Sequence, residues 1–218
     1  MLKKNLKKIW YSIGRIICLT LCKIFFSLKV IGHQNIPAEG GFLLVSNHQS
    51  FLDPVLCGCG IKRQLHFLAR DTLFKKRFFR WLCFSLNAIP LRLDKADISA
   101  MKTIIEKLQK GEAVVLYPEA TRTSDGRIAP FKSGLAILCR RGNAAIVPML
   151  IDGAFESWPR NKKMFTIGKK IVVRYGQAVT AEQAKSMDDE KLADYLTSTI
   201  RSLQSQVRIE EGKEPFSY

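Results

Sequence analysis

Gly41-Phe42-Leu43-Leu44-Val45-Ser46-Asn47-His48-Gln49-Ser50-Phe51-Leu52-Asp53-Pro54 is the stretch on which the fold turns. An apolar run of strand length follows the Gly40-Gly41 turn and gives way to polar residues, and Asp53-Pro54 marks a helix start because proline suits the first helical turn. The unit is strand, turn, helix. The same apolar signature at Leu65–Ala69, Ala113–Tyr117 and Ala145–Ile151 predicts further strands. Thr72–Leu86, Ile98–Lys110, Phe131–Arg141 and Ala181–Gln206 read as helices, and Met164–Tyr175 as late strands with Gly168 at a turn. Short apolar strands separated by helices predict an α/β domain. No internal repeat or low-complexity linker interrupts it, so residues 38–218 read as one domain and residues 1–37 as a membrane-associating helical segment.

The 218 residues are 47% hydrophobic and 25% charged, an ordinary globular balance that excludes a disordered or collagen-like chain and a multi-span transporter. Six cysteines include no Cys-x-x-Cys pair and only three histidines are present, so neither a disulfide framework nor a zinc site is expected, and the cysteines read as free thiols. The net charge of +16 is unevenly spread. Residues 1–40 carry seven basic residues against Glu39, and residues 61–92 carry eight against Asp71, whereas residues 181–218 carry eight acids and five bases. A basic front predicts an anionic partner, either nucleic acid or phospholipid headgroups.

Residues 9–28 are about as long as a bilayer-spanning helix but contain Arg15 and Lys23, each of which would cost roughly 2.5–3.5 kcal/mol in mid-span. On a helical projection Lys4, Asn5, Lys8, Ser12, Arg15, Thr20, Lys23 and Ser27 share one half of the circumference, with Ile9, Ile16, Leu19 and Phe26 intruding. That pattern predicts a helix lying in the membrane interface rather than crossing it. The competing reading is a helix docked on the protein's own core. The basic run Lys62, Arg63, Arg70, Lys75, Lys76, Arg77 and Arg80 alternates with Phe67, Phe74, Phe78, Phe79 and Trp81. With no nucleic-acid-binding signature beside it, it reads either as a surface for anionic headgroups or an acyl carrier, or as a solvated helix with an aromatic core face.

Chemistry concentrates in two places. His48 follows the first strand, and an imidazole there acts as a base near neutral pH if a carboxylate orients it. Five helical residues would set His48 and Asp53 about 140° apart, so the pair needs a non-helical link to meet; alone, Asp53 reads as a helix N-cap. The second place is Tyr117-Pro118-Glu119-Ala120-Thr121-Arg122 with the downstream Lys132. It sets an acid, a hydroxyl and a bidentate cation at the end of a strand, where α/β folds bind ligands, and Arg122 and Lys132 are candidates to hold a phosphate. Taken alone, such a loop is a solvated turn.

In order, Asn47-His48 with Asp53, Asn87-Ala-Ile-Pro-Leu-Arg92, Pro118-Glu119-Ala120-Thr121-Arg122 and Ile146-Val147-Pro148 resemble the four blocks of the glycerolipid acyltransferase family, in particular the 1-acylglycerol-3-phosphate acyltransferases. The resemblance covers about residues 41–152. It implies a mixed sheet flanked by helices and seated on a membrane, with His48 as general base, Asp53 as its orienting partner, and Arg92, Glu119, Thr121 and Arg122 binding the acyl acceptor. Two residues depart from the family pattern. Ala120 stands where the family has glycine, at a cost of roughly 1 kcal/mol if the position has positive φ, and Arg92 precedes by one place the family's arginine position, here Leu93.

The sequence therefore predicts a monotopic protein on the cytoplasmic face of a membrane that transfers a fatty acyl chain from an acyl thioester, acyl-CoA or acyl-ACP, to a lysophospholipid hydroxyl. No metal, bound cofactor or nucleic-acid partner is expected. No serine or cysteine stands where an acyl-enzyme would require one, which favours direct transfer. The alternative is a non-catalytic lipid-surface protein on the same fold.

Overall fold

In the computed structural model, residues 2–92 and 97–218 are described, the side chains of residues 2–5 excepted. Lys4 and Asn5 of the N-terminal polar stripe and the Leu93 position thus lie outside the described side chains. The strand–turn–helix unit forms as the sequence predicts: β2 (Phe42–Ser46) runs into an irregular link and then α2 (Asp53–Cys59). Around it lie α1 (Leu2–Phe26), β1 (Lys29–Ile31), β3 (Leu65–Arg70), α3 (Arg77–Ser85), β4 (Ala88–Leu91), α4 (Ile98–Gln109) and β5 (Ala113–Leu116). The chain continues through α5 (Leu135–Gly142), β6 (Ala145–Asp152), α6 (Ala154–Ser157), β7 (Val172–Tyr175), α7 (Ala181–Ser186) and α8 (Asp189–Glu210). The strands form one sheet in the order β1-β7-β6-β2-β5-β3-β4, parallel throughout except for the antiparallel β6–β7 pair.

The central strand is buried on both faces because strand side chains alternate. Leu43 and Val45 enter a core built with Ile104 of α4, Leu138 of α5 and Leu196 of α8, whereas Phe42 and Leu44 enter the opposite core with Leu56 of α2 and Phe26 of α1. Each such leucine contributes about 1.5–3 kcal/mol through burial. Gly41 lets β2 approach α4 closely, since a Cβ there would sit 2.1 Å from the Leu108 carbonyl oxygen.

Several expected boundaries move, each for a local reason. The expected helix Ala181–Gln206 is two helices, because Thr180 forms a capping box with Gln183 and Asp188 caps a second start by accepting from Lys191 N. Thr72–Leu86 divides into a 3-10 turn at Asp71–Phe74 and α3, with Lys76 extended between them. Phe131–Arg141 turns helical only at Leu135, since Phe131 N donates to Thr197 Oγ1 and Lys132 N to the Pro118 carbonyl. Of Met164–Tyr175 only Val172–Tyr175 is a strand, and residues 161–170 form an exposed loop. The sequence reading missed β4, which carries Pro90; the sheet accepts it because β4 is an edge strand. It also missed β1, three residues inside the stretch read as the membrane segment.

α1 satisfies parts of both readings of the N-terminus. Tyr11, Cys22 and Phe26 are buried, and Arg15 donates to the Cys59 carbonyl at the end of α2, so this charge faces the domain and not a headgroup layer. The other flank leaves Leu6, Ile9, Ile13, Ile17, Leu21 and Ile24 exposed. Leu6–Phe26 is long and apolar enough to cross a membrane by length and composition.

Candidate active site

The C-terminal ends of β2, β3 and β5 open onto one cleft of about 790 Å³. His48 lies two residues beyond β2, with Nδ1 2.6 Å from Asp53 Oδ2. The irregular link supplies the bend that a helix could not. Asp53 Oδ2 also accepts from Gln49 N at 2.6 Å and Ser50 N at 2.8 Å. Three donors converge on one oxygen, which is therefore the unprotonated one, and Nδ1 carries the imidazole proton. Nε2 is then the basic nitrogen, on a side chain 21% exposed at the cleft. Burial pushes the Asp53 carboxyl upward, while His48 and the two amides pull against it. Both amides precede Asp53 in sequence, so this carboxylate shapes the loop and orients His48 instead of capping α2.

Neighbouring groups hold the imidazole in place. The Tyr117 ring stacks on it with centroids 4.2 Å apart and planes 15° from parallel, and the Tyr117 hydroxyl lies 3.3 Å from Cys57 Sγ. Asn47 donates from Nδ2 to the Ile151 carbonyl at 2.9 Å and accepts from Ile151 N at 2.8 Å, which locks the end of β2 to β6. Asn47 and Tyr117 stand inside the two chemistry-bearing stretches of the sequence, but their roles depend on contacts distant in sequence.

Glu119 is a correction. Expected to bind the acceptor, it is buried with both oxygens engaged: Oε1 accepts from His48 N at 2.7 Å and Oε2 from Ala129 N at 3.0 Å. It fastens the histidine loop to the segment before α5, and burial pushes its carboxyl up to about 7. Ala120 has φ +62°, the left-handed conformation that favours glycine, so the departure from the family pattern carries the expected strain.

Thr121, Arg122 and Lys132 line the cleft. The Arg122 guanidinium lies 3.7 Å from the Phe51 ring centroid, and its buried Nη1 has no hydrogen-bond partner among the described residues. Burial lowers its pKa, as do nearby Arg70 and Arg160, two further cleft residues that the sequence reading did not place here. Four cations with an unspent guanidinium donor suit an anionic oxygen ligand. Arg92 is a second correction: it lies outside this cleft, with its backbone N bonded to Asp97 Oδ2 at 3.0 Å and Nε 3.7 Å from the same oxygen. Among the described residues no three His, Cys, Asp or Glu side chains gather as metal ligands.

The sequence model of the acyltransferase family matches residues 27–152, which include the dyad and the cation-bearing loop after β5. The chain belongs to the acyltransferase family. It is 28% identical over 198 residues to a 1-acyl-sn-glycerol-3-phosphate acyltransferase of Bacillus subtilis, an alignment covering 87% of this chain and 96% of that one. It is also 30% identical over 138 residues to the chloroplastic 1-acyl-sn-glycerol-3-phosphate acyltransferase LPAT1 of Arabidopsis thaliana, covering 62% of this chain and 38% of that longer protein. The crystal structure of the acyltransferase PlsC from Thermotoga maritima superposes with a TM-score of 0.80, covering 94% of this chain and 83% of that one. At 23% identity this likeness speaks for the fold, and it agrees with a mixed sheet flanked by helices.

Proposed function

We propose that this acyltransferase moves a fatty acyl chain from a thioester, on coenzyme A or acyl carrier protein, to the free hydroxyl of a 1-acylglycerol-3-phosphate. The observation that carries the reading is the His48–Asp53 pair at 2.6 Å, on a cleft that also presents Arg70, Arg122, Lys132 and Arg160. His48 Nε2 takes the acceptor's hydroxyl proton as the oxygen attacks the thioester carbonyl, and Asp53 stabilises the resulting imidazolium. The C–S bond then breaks and the departing thiolate takes the proton from His48. Arg122, through the Nη1 that has no partner among the described residues, and Lys132 hold the acceptor phosphate. Transfer is direct. Ser50 lines the cleft but its hydroxyl donates to the Trp158 carbonyl at 2.7 Å, and burial pushes the Cys57 thiol up to about 12, so neither serves as an acyl-carrying nucleophile.

The same reading seats the protein monotopically on the cytoplasmic side of a membrane. α1 is tied along the domain by Arg15 and its buried face, and offers its exposed apolar flank to lipid. Mass spectrometry of products from the full chain with 1-acylglycerol-3-phosphate, lysophosphatidylglycerol or monoacylglycerol, each with acyl-CoA or acyl-ACP, tests the substrate assignment. Diacylated phosphate product is expected. Vesicle binding without product from any pair would favour the non-catalytic lipid-surface alternative.

A further inference from the structure

The loop between α6 and β7 has the composition of a surface element but an unusual exposure. Every residue from 161 to 170 is exposed, including Met164 at 78%, Phe165 at 47% and Ile167 at 57%. Residues 158–170 contain no acid, and Arg160, Lys162, Lys163 and Lys169 bracket the apolar residues, while Lys170 is paired with Glu211. Water-exposed apolar side chains interleaved with cations that have no ion-pair partner among the described residues are poorly suited to bulk solvent and well suited to an anionic lipid surface.

The loop's position specifies the partner. Gly168 N donates to the Phe25 carbonyl at 2.8 Å and Ile171 N to the Phe26 carbonyl at 2.9 Å, which binds the loop's C-terminal half to the end of α1. Its apolar residues thereby lie beside the end of α1, where Leu21, Ile24 and Phe25 are exposed. In the other direction an aromatic row leads to the catalytic cleft: Phe26 to Phe165 at 5.9 Å, Phe165 to Trp158 at 5.6 Å and Trp158 to Phe51 at 5.2 Å, with Arg122 stacked on Phe51.

We propose that residues 160–169 form a second membrane-contacting element, in which Met164, Phe165 and Ile167 enter the headgroup region of an anionic bilayer while Lys162, Lys163 and Lys169 meet lipid phosphates. With α1 it makes a two-point footing and sets the rim of the cleft against the bilayer. This rests on the membrane seating proposed above. Exposed apolar residues on the loop beside those at the end of α1 favour a lipid surface over an acidic acyl-carrier protein, whose contact would need charge more than insertion depth.

Sedimentation of the full chain with phosphatidylglycerol–phosphatidylcholine vesicles, without acyl donor or acceptor, reads this surface apart from catalysis. Met164→Ser, Phe165→Ser and Ile167→Ser combined should weaken partitioning about tenfold or more. Lys162→Gln, Lys163→Gln and Lys169→Gln combined should weaken binding by a similar factor on anionic vesicles and leave binding to pure phosphatidylcholine unchanged. Turnover on a monomeric short-chain acceptor should stay normal in both variants, which controls for folding. Wild-type partitioning by both variants would overturn the loop's role while leaving α1's intact, and failure of the wild-type chain to bind vesicles would overturn both. Normal vesicle binding with turnover lost only when the donor is acyl-carrier protein would assign the patch to that protein and likewise overturn the proposal.

Discussion

Glu119→Gln probes the carboxylate that fixes the catalytic loop. Two backbone N–H groups point at its two oxygens, from His48 at 2.7 Å and Ala129 at 3.0 Å. A protonated carboxyl still offers an acceptor lone pair on each oxygen, but the glutamine NH2 offers none. The variant therefore leaves one buried donor unmatched, a cost of about 1–3 kcal/mol. The pH dependence is a second signature. Burial raises the carboxyl from 4.5 to about 7, so the native state binds this proton more tightly than the unfolded chain. Its contribution is intact below pH 4.5 and is lost as pH rises to about 7, a loss of roughly 3 kcal/mol for this raised acid. Glutamine does not titrate. Urea unfolding at pH 5, 6, 7 and 8 should show the variant less stable at pH 5 and close to wild type at pH 8. At pH 8, kcat should still fall with little change in KM, because one of the two amides that fix the His48 loop to the segment before α5 has lost its acceptor. Parallel stability curves for the two proteins across this range would refute the role given to Glu119.

His48→Ala should lower turnover by two to four orders of magnitude, roughly the worth of a positioned base, while the protein stays folded and vesicle binding is as in wild type; near-normal turnover would end the mechanism. Arg122→Ala should cost about 2–4 kcal/mol in kcat/KM on a phosphate-bearing acceptor and little on monoacylglycerol, and Arg122→Lys should not rescue it, because a single ammonium cannot replace a two-pronged donor. Equal losses on both acceptors would make Arg122 a loop residue. Ala120→Gly should raise stability by about 1 kcal/mol, a few degrees in Tm, by relieving the left-handed alanine; a lower Tm would show that the turn relaxes when the methyl goes.

The parts of this molecule that local chemistry dictates were legible from the sequence. The β2 run, its polar exit and the Asp53-Pro54 helix start gave the unit that brings His48 to Asp53. What was hidden depends on contacts distant in sequence. Glu119 looks like a ligand-binding acid until the amides of His48 and Ala129 are seen to occupy both oxygens. Arg70 belongs to a basic run and Arg160 to an unremarked loop, and only the fold turns both into the cleft with Arg122. Arg92 reads in the sequence as an acceptor ligand beside Arg122 and Lys132, but it lies outside the cleft, beside Asp97. Met164–Ile167 has strand composition, and that composition does not distinguish a buried strand from an exposed loop.

The strain at Ala120 also has a physical explanation, and it reaches beyond the family-matched residues 27–152. A left-handed alanine persists where its surroundings over-determine the backbone. Here Ala120 N bonds the Tyr117 carbonyl, Lys132 N bonds the Pro118 carbonyl and Thr123 N bonds the His48 carbonyl, so the turn is held on three sides. Residues 128–131, which supply the second amide to Glu119, are in turn gripped from α8 and the C-terminal tail. Arg201 donates to the Ile128 carbonyl at 2.8 Å, Ile128 N donates to the Tyr218 hydroxyl at 3.0 Å, and Phe131 N donates to Thr197 Oγ1 at 3.1 Å. The position of His48 is thus set through Glu119 by a segment that the last helix holds down, and a brace of this kind lets the cleft keep a turn residue that costs about 1 kcal/mol.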